Sequence, residues 1–266
     1  MRWQLSAAQW DVLTAALFPG ERGLDAYPPP IEVRSHGRTE TERVRIKAAV
    51  EVELGELGLL RAGRVEPDLE AALRLLHWPA AWVDSVWLPD ASAEQPVRVV
   101  VAQAGNRAVC ALQHPERPGA TLLEAIPAAG LVAAVVGKLP AHPPGRSPAV
   151  SVALESAGGR RTESDSPGLL VSVSGGRAGA QRSNTAVTAI LEQPHTRAGQ
   201  IAANARDASG RVRRSDILRW CDNPDGRYQM TVSRQQGDPD RLTVGPADPQ
   251  RLGDGAQRLL ASVRSR

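Results

Sequence analysis

Few residues of this 266-residue chain have the types and spacing that chemistry requires. The histidines His36, His77, His114, His142 and His195 stand singly, whereas a zinc site needs two on one helix face or an HExxH pair. All but His36 have a proline within two residues, which reads as loop rather than ligand. Asp222 and Asp225, in "CDNPDGRY", could pair as general acid and base, but Asp, Asn, Pro and Gly in that order first predict a turn between strands. The glycines of "SGGRAGA" (174–180) lack the lysine of a phosphate-cradling loop, and no GxSxG elbow presents a nucleophilic serine. A hydrolase would need Ser, His and Asp to converge from distant stretches. Cys110 and Cys221 have no CxxC or Cys/His spacing, so they predict neither a zinc site nor a disulfide framework, and they fit a reducing cytoplasm. These residues imply no cofactor, no metal and no enzyme, and point towards a binding protein.

Charge offers one alternative function. Of 32 basic residues only Lys47 and Lys138 are lysine, and residues 160–266 carry the basic excess. Arg211, Arg213 and Arg214 form the densest cluster and would carry an Arg-mediated contact with nucleic acid. Alternation along a strand, however, puts Arg211 and Arg213 on one face and Arg214 on the other, which predicts a solvated strand instead. Aromatic residues are 3% of the chain, too few for stacking platforms. The Arg skew is better read as the mark of a GC-rich coding sequence.

The elements that would position any site follow from periodicity. Leu, Ile, Val and Phe make up about 22% of the chain, so the core must rest on Leu, Val and Ala. A capping box at Ser6 and Gln9 opens a helix ending near Phe18, and "YPPPIEVRS" (27–35) predicts a short strand with Ile31 and Val33 on one face. A second box at Thr39 and Glu42 opens a helix to Leu57, and Pro67 starts a third lined by Leu69, Leu73 and Leu76. Strands follow at 82–88, 97–103, 107–113 and 120–126, then a helix at 127–139. After a strand at 149–154, residues 155–179 read as loop or poorly formed helix, and Ser183 or Asn184 caps a helix to Leu191. Strands at 200–206, 212–220, 228–234 and 241–244 and a helix at 249–263 complete the chain. The longest apolar run, 126–137, is too short to span a bilayer, and no secretory signal opens the chain, so a soluble cytoplasmic protein without membrane insertion is expected.

Residues 121–139 and 241–260 echo one another: a strand, Pro-Ala, then an amphipathic helix, each after an antiparallel meander. The echo favours an α+β fold of two similar halves, 1–148 and 149–266, forming one domain.

The order of these features resembles the EspG family of actinobacterial type VII (ESX) secretion-associated proteins. The pieces that carry it are "SHGRTETER" (35–43), the "GLL" after the second helix (58–60), "VVGKLPAHPPG" (135–145), "AGQIAANARDASGRVRRSDILRWCDNPDGRYQMTV" (198–232) and "LTVGPADPQRL" (242–252). The resemblance implies a quasi-two-fold α+β fold with a central antiparallel sheet flanked by helical bundles. It also implies a non-enzymatic cytosolic chaperone that covers the exposed apolar tip of a helical PE/PPE heterodimer until export, with no nucleic-acid partner. In that family the sheet, the loop between its second and third strands and the C-terminal bundle form the binding surface. Carried onto this chain, these are the loop residues Leu88, Pro89, Asp90, Ala91, Ser92 and Gln95, the sheet residues Val150 and Val152, and the helix residues Val187, Ile190 and Leu191. The departure from the family pattern is the Gly/Ser/Arg-rich run at 155–183, where a helix is expected.

Overall fold

The structure, a computed structural model, describes residues 1–19, 27–154, 178–234 and 239–264, with 178–181 as backbone alone. Among these, eleven strands join one sheet, in the order β1 (Arg2–Leu5), β7 (Thr121–Pro127), β6 (Arg107–Gln113), β5 (Val97–Ala104), β4 (Ala81–Leu88), β9 (Arg197–Arg206), β11 (Leu218–Asn223), β12 (Gly226–Ser233), β13 (Arg241–Pro246) and β8 (Val150–Ala153). Short β10 (Val212–Arg214) pairs with β9 off this path, and all the strand pairs of the sheet are antiparallel. At its centre β4 lies beside β9, Asp84 opposite Ala202 and Ser85 opposite Ile201. On either side runs a four-stranded meander closed by a helix, α4 (Leu131–Val136) after β7 and α6 (Pro249–Arg264) after β13. The chain thus forms the quasi-two-fold α+β architecture that the echo predicts.

Period-two alternation gives each face of the sheet its cover. Val83, Trp87, Val99, Val101, Ile201, Ala203 and Trp220 point to one face, under α4 and α6. Trp82, Val100, Ala102, Val109 and Ala111 point to the other, under α1 (Ala7–Leu17) and α3 (Pro67–His77), with α2 (Glu40–Glu56) outside them. Further along that second face, α5 (Ala178–Leu191) lays Val187 and Ile190 over Val152, Cys221, Tyr228, Met230 and Val244.

Local rules explain most of the elements. Ser6 and Gln9 close their capping box at 3.2 and 3.0 Å. Thr39 caps α2 through the Glu42 amide at 3.2 Å, but the Glu42 carboxylate reaches back to the Arg38 amide, at 2.8 Å, rather than to Thr39. Four expectations need correction. Residues 31–35 form no strand: Ile31 and Val33 are buried together as predicted, but the Gln113 side chain takes the partner's place, bonding the Glu32 amide at 3.0 Å and its carbonyl at 2.7 Å. The stretch 212–220 divides into β10 and β11, and the helix of 127–139 is a 3-10 turn (Ala128–Gly130) followed by α4, ending beside Gly137. Helix α5 begins at Ala178, so Ser183 and Asn184 lie inside it rather than at its cap. Residues 155–177, most of the Gly/Ser/Arg-rich run, lie outside the described residues. Two small features escape the periodicity: β1, whose Trp3 and Leu5 alternate over only four residues, and the hairpin β2 (Leu60–Arg61) and β3 (Arg64–Val65).

Candidate functional site

Residues 89–96 turn the chain between β4 and β5 at one end of the sheet. Asp90, Ala91, Ser92, Glu94 and Gln95 are exposed, while Leu88 and Pro89 are half-buried at the base. Asp90 folds the tip into an Asx turn, accepting from the Ser92 amide at 2.8 Å and its hydroxyl at 2.6 Å. The Ser92 side chain, then its backbone, hold the Asp90 carboxyl below its ordinary pKa, so the tip is anionic at neutral pH. The base is anchored to β9: Leu88 pairs with Ala198, and Arg197 Nε donates to the Pro89 carbonyl at 3.2 Å.

Arg197 links this loop to a buried ionic cluster. Its guanidinium lies 3.5 Å from Asp222, which is fully buried and takes both Nε (2.6 Å) and Nη2 (2.8 Å) of Arg227. Arg227 stacks on the Trp220 ring, 4.5 Å from its centroid, and donates from Nη2 to the Pro140 carbonyl at 2.8 Å. Its backbone donates to the Pro143 carbonyl at 2.7 Å and accepts from the Gly145 amide at 2.8 Å, while the Tyr228 hydroxyl accepts from the Ser147 amide at 3.0 Å. Both glycines here are required by space. A Cβ on Gly145 would collide with the Tyr228 ring, and one on Gly226, whose φ is +128°, would collide with the Pro144 carbonyl. The stretches "AHPPGRS" (141–147) and "DNPDGRY" (222–228) therefore clasp one another.

The turn between β11 and β12 also fixes the end of α5. Asn223 Oδ1 accepts from the Asp225 amide at 2.9 Å, Asn223 Nδ2 donates to the Ile190 carbonyl at 3.3 Å, and Asp225 accepts from Gln193 Nε2 at 3.0 Å. It is Asn223, not an aspartate, that bonds the backbone of this turn, and Asp222 is a strand residue paired with arginine rather than half of an acid–base pair. The signal that would have found the cluster is an Asp and an Arg five residues apart around a two-residue turn, which places them directly opposite.

The structure brings together some of the residues expected at the surface and separates others. The loop and the C-terminal end of α5 share one end of the sheet, joined through residues 192–196 and Arg197. Val150 and Val152 lie on edge strand β8, five strands from β4, or about 24 Å at 4.8 Å per strand. Val152, Val187 and Ile190 are 3%, 0% and 3% exposed and pack against one another, so they support the surface from beneath. Val150 and Leu191 are half-buried, and α5 presents Thr185, Thr188 and Ala189 to solvent.

In the basic cluster, the side chains of Arg213 and Arg214 are engaged within the chain. Arg214 grips buried Asp84 through both Nη atoms, at 3.0 and 3.3 Å, and Asn204 Nδ2 donates to the same carboxylate at 2.7 Å. Arg213 lies 4.0 Å from Asp207, whose Oδ1 accepts from the Arg211 amide at 3.0 Å. Among the described residues, no group of three His, Cys, Asp or Glu is placed to hold a metal ion, and no helix is long and apolar enough to cross a membrane. Burial pushes the Cys110 thiol up to about 11 and the Cys221 thiol up to about 12.

The EspG family model matches residues 11–258. The chain belongs to the EspG family. A solved structure, that of the Mycobacterium tuberculosis type VII secretion system chaperone EspG5 in complex with the PE25-PPE41 dimer, is similar to it over 98% of this chain and 96% of that one, with a TM-score of 0.69 and 17% identity. At that identity the likeness establishes the fold. No curated protein matches the chain. In this EspG-family chain, the Asp-x-x-x-Gly-Arg-Tyr hairpin that carries the sequence resemblance is the clasp around Asp222, Gly226, Arg227 and Tyr228.

Proposed function

We propose that this chain is a cytosolic chaperone of a type VII secretion system. It binds the exposed apolar tip of a helical PE/PPE-type heterodimer and keeps the pair soluble for export. The observation that carries this reading is the family match over residues 11–258, supported by a fold shared from end to end with a chaperone solved on its PE/PPE dimer. An unshielded apolar helical tip is an aggregation hazard, and a specific surface that covers it removes the hazard without chemistry. The role needs no catalytic group, and we take the chain to be a binding protein rather than an enzyme.

The surface we assign is the 88–96 loop, with Asp90, Ala91, Ser92 and Gln95 at its tip and Leu88 and Pro89 at its base, together with Leu191 on α5 and Val150 on β8. Val152, Val187 and Ile190 hold α5 and β8 in place behind it. Co-expression with a PE/PPE-type pair encoded beside this chain, followed by affinity capture on the chain and size exclusion, tests the reading. The three proteins are expected to elute as one species. A chain that elutes alone beside every such pair overturns it.

A further inference from the structure

Trp78, just past the end of α3, is 59% exposed, whereas every other tryptophan of the chain is buried or half-buried. A ring of that size is normally covered, and Trp and Arg are the residues that most often carry the energy of a protein interface. Arg206 lies over the Trp78 ring, its guanidinium 3.7 Å from the centroid. Its Nη1 donates to the Gly210 carbonyl at 2.9 Å and its Nε to the Pro79 carbonyl at 3.4 Å. These partners are all neutral, so they orient the guanidinium and leave its charge uncompensated.

The pairing of β9 with β10 extends this patch. Val212 stands opposite Arg206 and Arg214 opposite Asn204, so Arg206, Val212 and Arg214 share one face of the pair, and Val212 is 42% exposed. The charges here are Arg206, Arg211, Arg213 and Arg214 against Asp84 and Asp207, while Arg74 on α3 pairs with Glu70 at 2.7 Å. Asp84 is buried beneath Arg214 and Asn204. The Asp207 carboxylate turns to its own loop, accepting from the Ser209 amide at 2.9 Å, the Ser209 hydroxyl at 2.6 Å and the Arg211 amide at 3.0 Å. Both acids are thus held within the chain, whereas Arg206 and the Arg211 side chain join no ion pair among the described residues. An exposed ring and an exposed aliphatic side chain set among arginines complement an acidic segment that carries an apolar residue.

We propose that this end of the sheet docks an acidic segment of a second protein, its apolar side chain on Trp78 and Val212 and its carboxylates on Arg206 and Arg211. Nucleic acid fits less well. A phosphate backbone needs a run of basic groups along its path and rings for its bases, but here two of the four arginines are engaged by Asp84 and Asp207 and one ring is exposed. The patch lies far from the 88–96 loop. Strands β4 and β9 run antiparallel, with Ala81 and Ala205 at the patch end and Leu88 and Ala198 at the loop end, about 24 Å away at 3.4 Å per residue. The proposal therefore stands apart from the chaperone reading, and a chain that holds a PE/PPE pair at the loop end keeps this end open.

Selection from a phage-displayed library of random dodecapeptides on the immobilised full chain tests it. Enriched peptides are expected to carry Asp or Glu beside a leucine, isoleucine or aromatic residue, and a synthetic copy to bind the chain in fluorescence anisotropy. Trp78→Ala and Val212→Glu, both at exposed positions and each checked as folded by its melting curve, weaken that binding by more than about tenfold, while Ala91→Arg in the distant loop leaves it unchanged. No enrichment, enrichment of basic or uncharged sequences, or binding indifferent to both substitutions overturns the proposal. A single-stranded oligonucleotide that binds at about 0.15 M salt and is lost with Trp78→Ala assigns the patch to nucleic acid and overturns it equally. Capture of a PE/PPE pair by the wild type that is lost with Trp78→Ala assigns the patch to that pair and does the same.

Discussion

Arg227 closes this end of the sheet by joining its own strand β12 to two other stretches of chain: β11, through Asp222 and the Trp220 ring, and residues 140–143, through the carbonyls of Pro140 and Pro143. Removing one partner of a buried ion pair leaves the other charged and dry, a cost of about 3–5 kcal/mol, whereas replacing both costs much less. Arg227→Met leaves Asp222 only the Arg197 guanidinium at 3.5 Å, so it is expected to lower the urea-unfolding free energy by up to about that amount, and Asp222→Asn added to it to recover part of the loss. The thiols give a second test at this scale. With Cys110 pushed up to about 11 and Cys221 up to about 12, both stay protonated and buried at neutral pH, so a thiol reagent should modify neither in the native protein and both after denaturation. Asp222 and Arg227 also mark the limit of reading single residues. Their types and spacing were visible in the sequence, but their partnership depends on hairpin register, which places them opposite one another.

Elements whose signals are local were the legible ones. The Ser6 box, Pro67 at the start of α3 and the alternation of β4 to β7 and of β9 all predict what the structure contains. The strand expected at 31–35 fails for a non-local reason, the Gln113 side chain standing where a strand would pair. The site divides in the same way. The loop is a local feature and lies where it was expected, but which valines of β8 and α5 face inward depends on how α5 settles on the sheet, and it buries Val152, Val187 and Ile190. This division makes a prediction. Ile190→Ala should destabilise the chain by about 2–5 kcal/mol as a core truncation, while the folded fraction keeps its affinity for a PE/PPE pair. Ala91→Arg, at the exposed loop tip, should leave the urea midpoint unchanged and weaken capture of the pair.

At the scale of the whole molecule, the echo between residues 121–139 and 241–260 was readable, but the seam between the halves was not. That seam is the pairing of β4 with β9, from Ala81 opposite Ala205 to Leu88 opposite Ala198, and its core draws Val83, Val101, Ile201, Trp220 and Leu252 from both sides. Contacts so distant in sequence leave no periodic trace. Expressed separately, 1–148 and 149–266 should each bare this edge and aggregate, while co-expression should recover soluble protein, measured as the soluble fraction on a gel. In the proposed role, this intact molecule shields a helical PE/PPE pair through the 88–96 loop end. Sedimentation of the purified chain mixed with a purified pair tests that most directly. One ternary species that forms with the wild type and is lost with Ala91→Arg, the variant remaining folded, is the result predicted; no ternary species, or one indifferent to the loop, contradicts it.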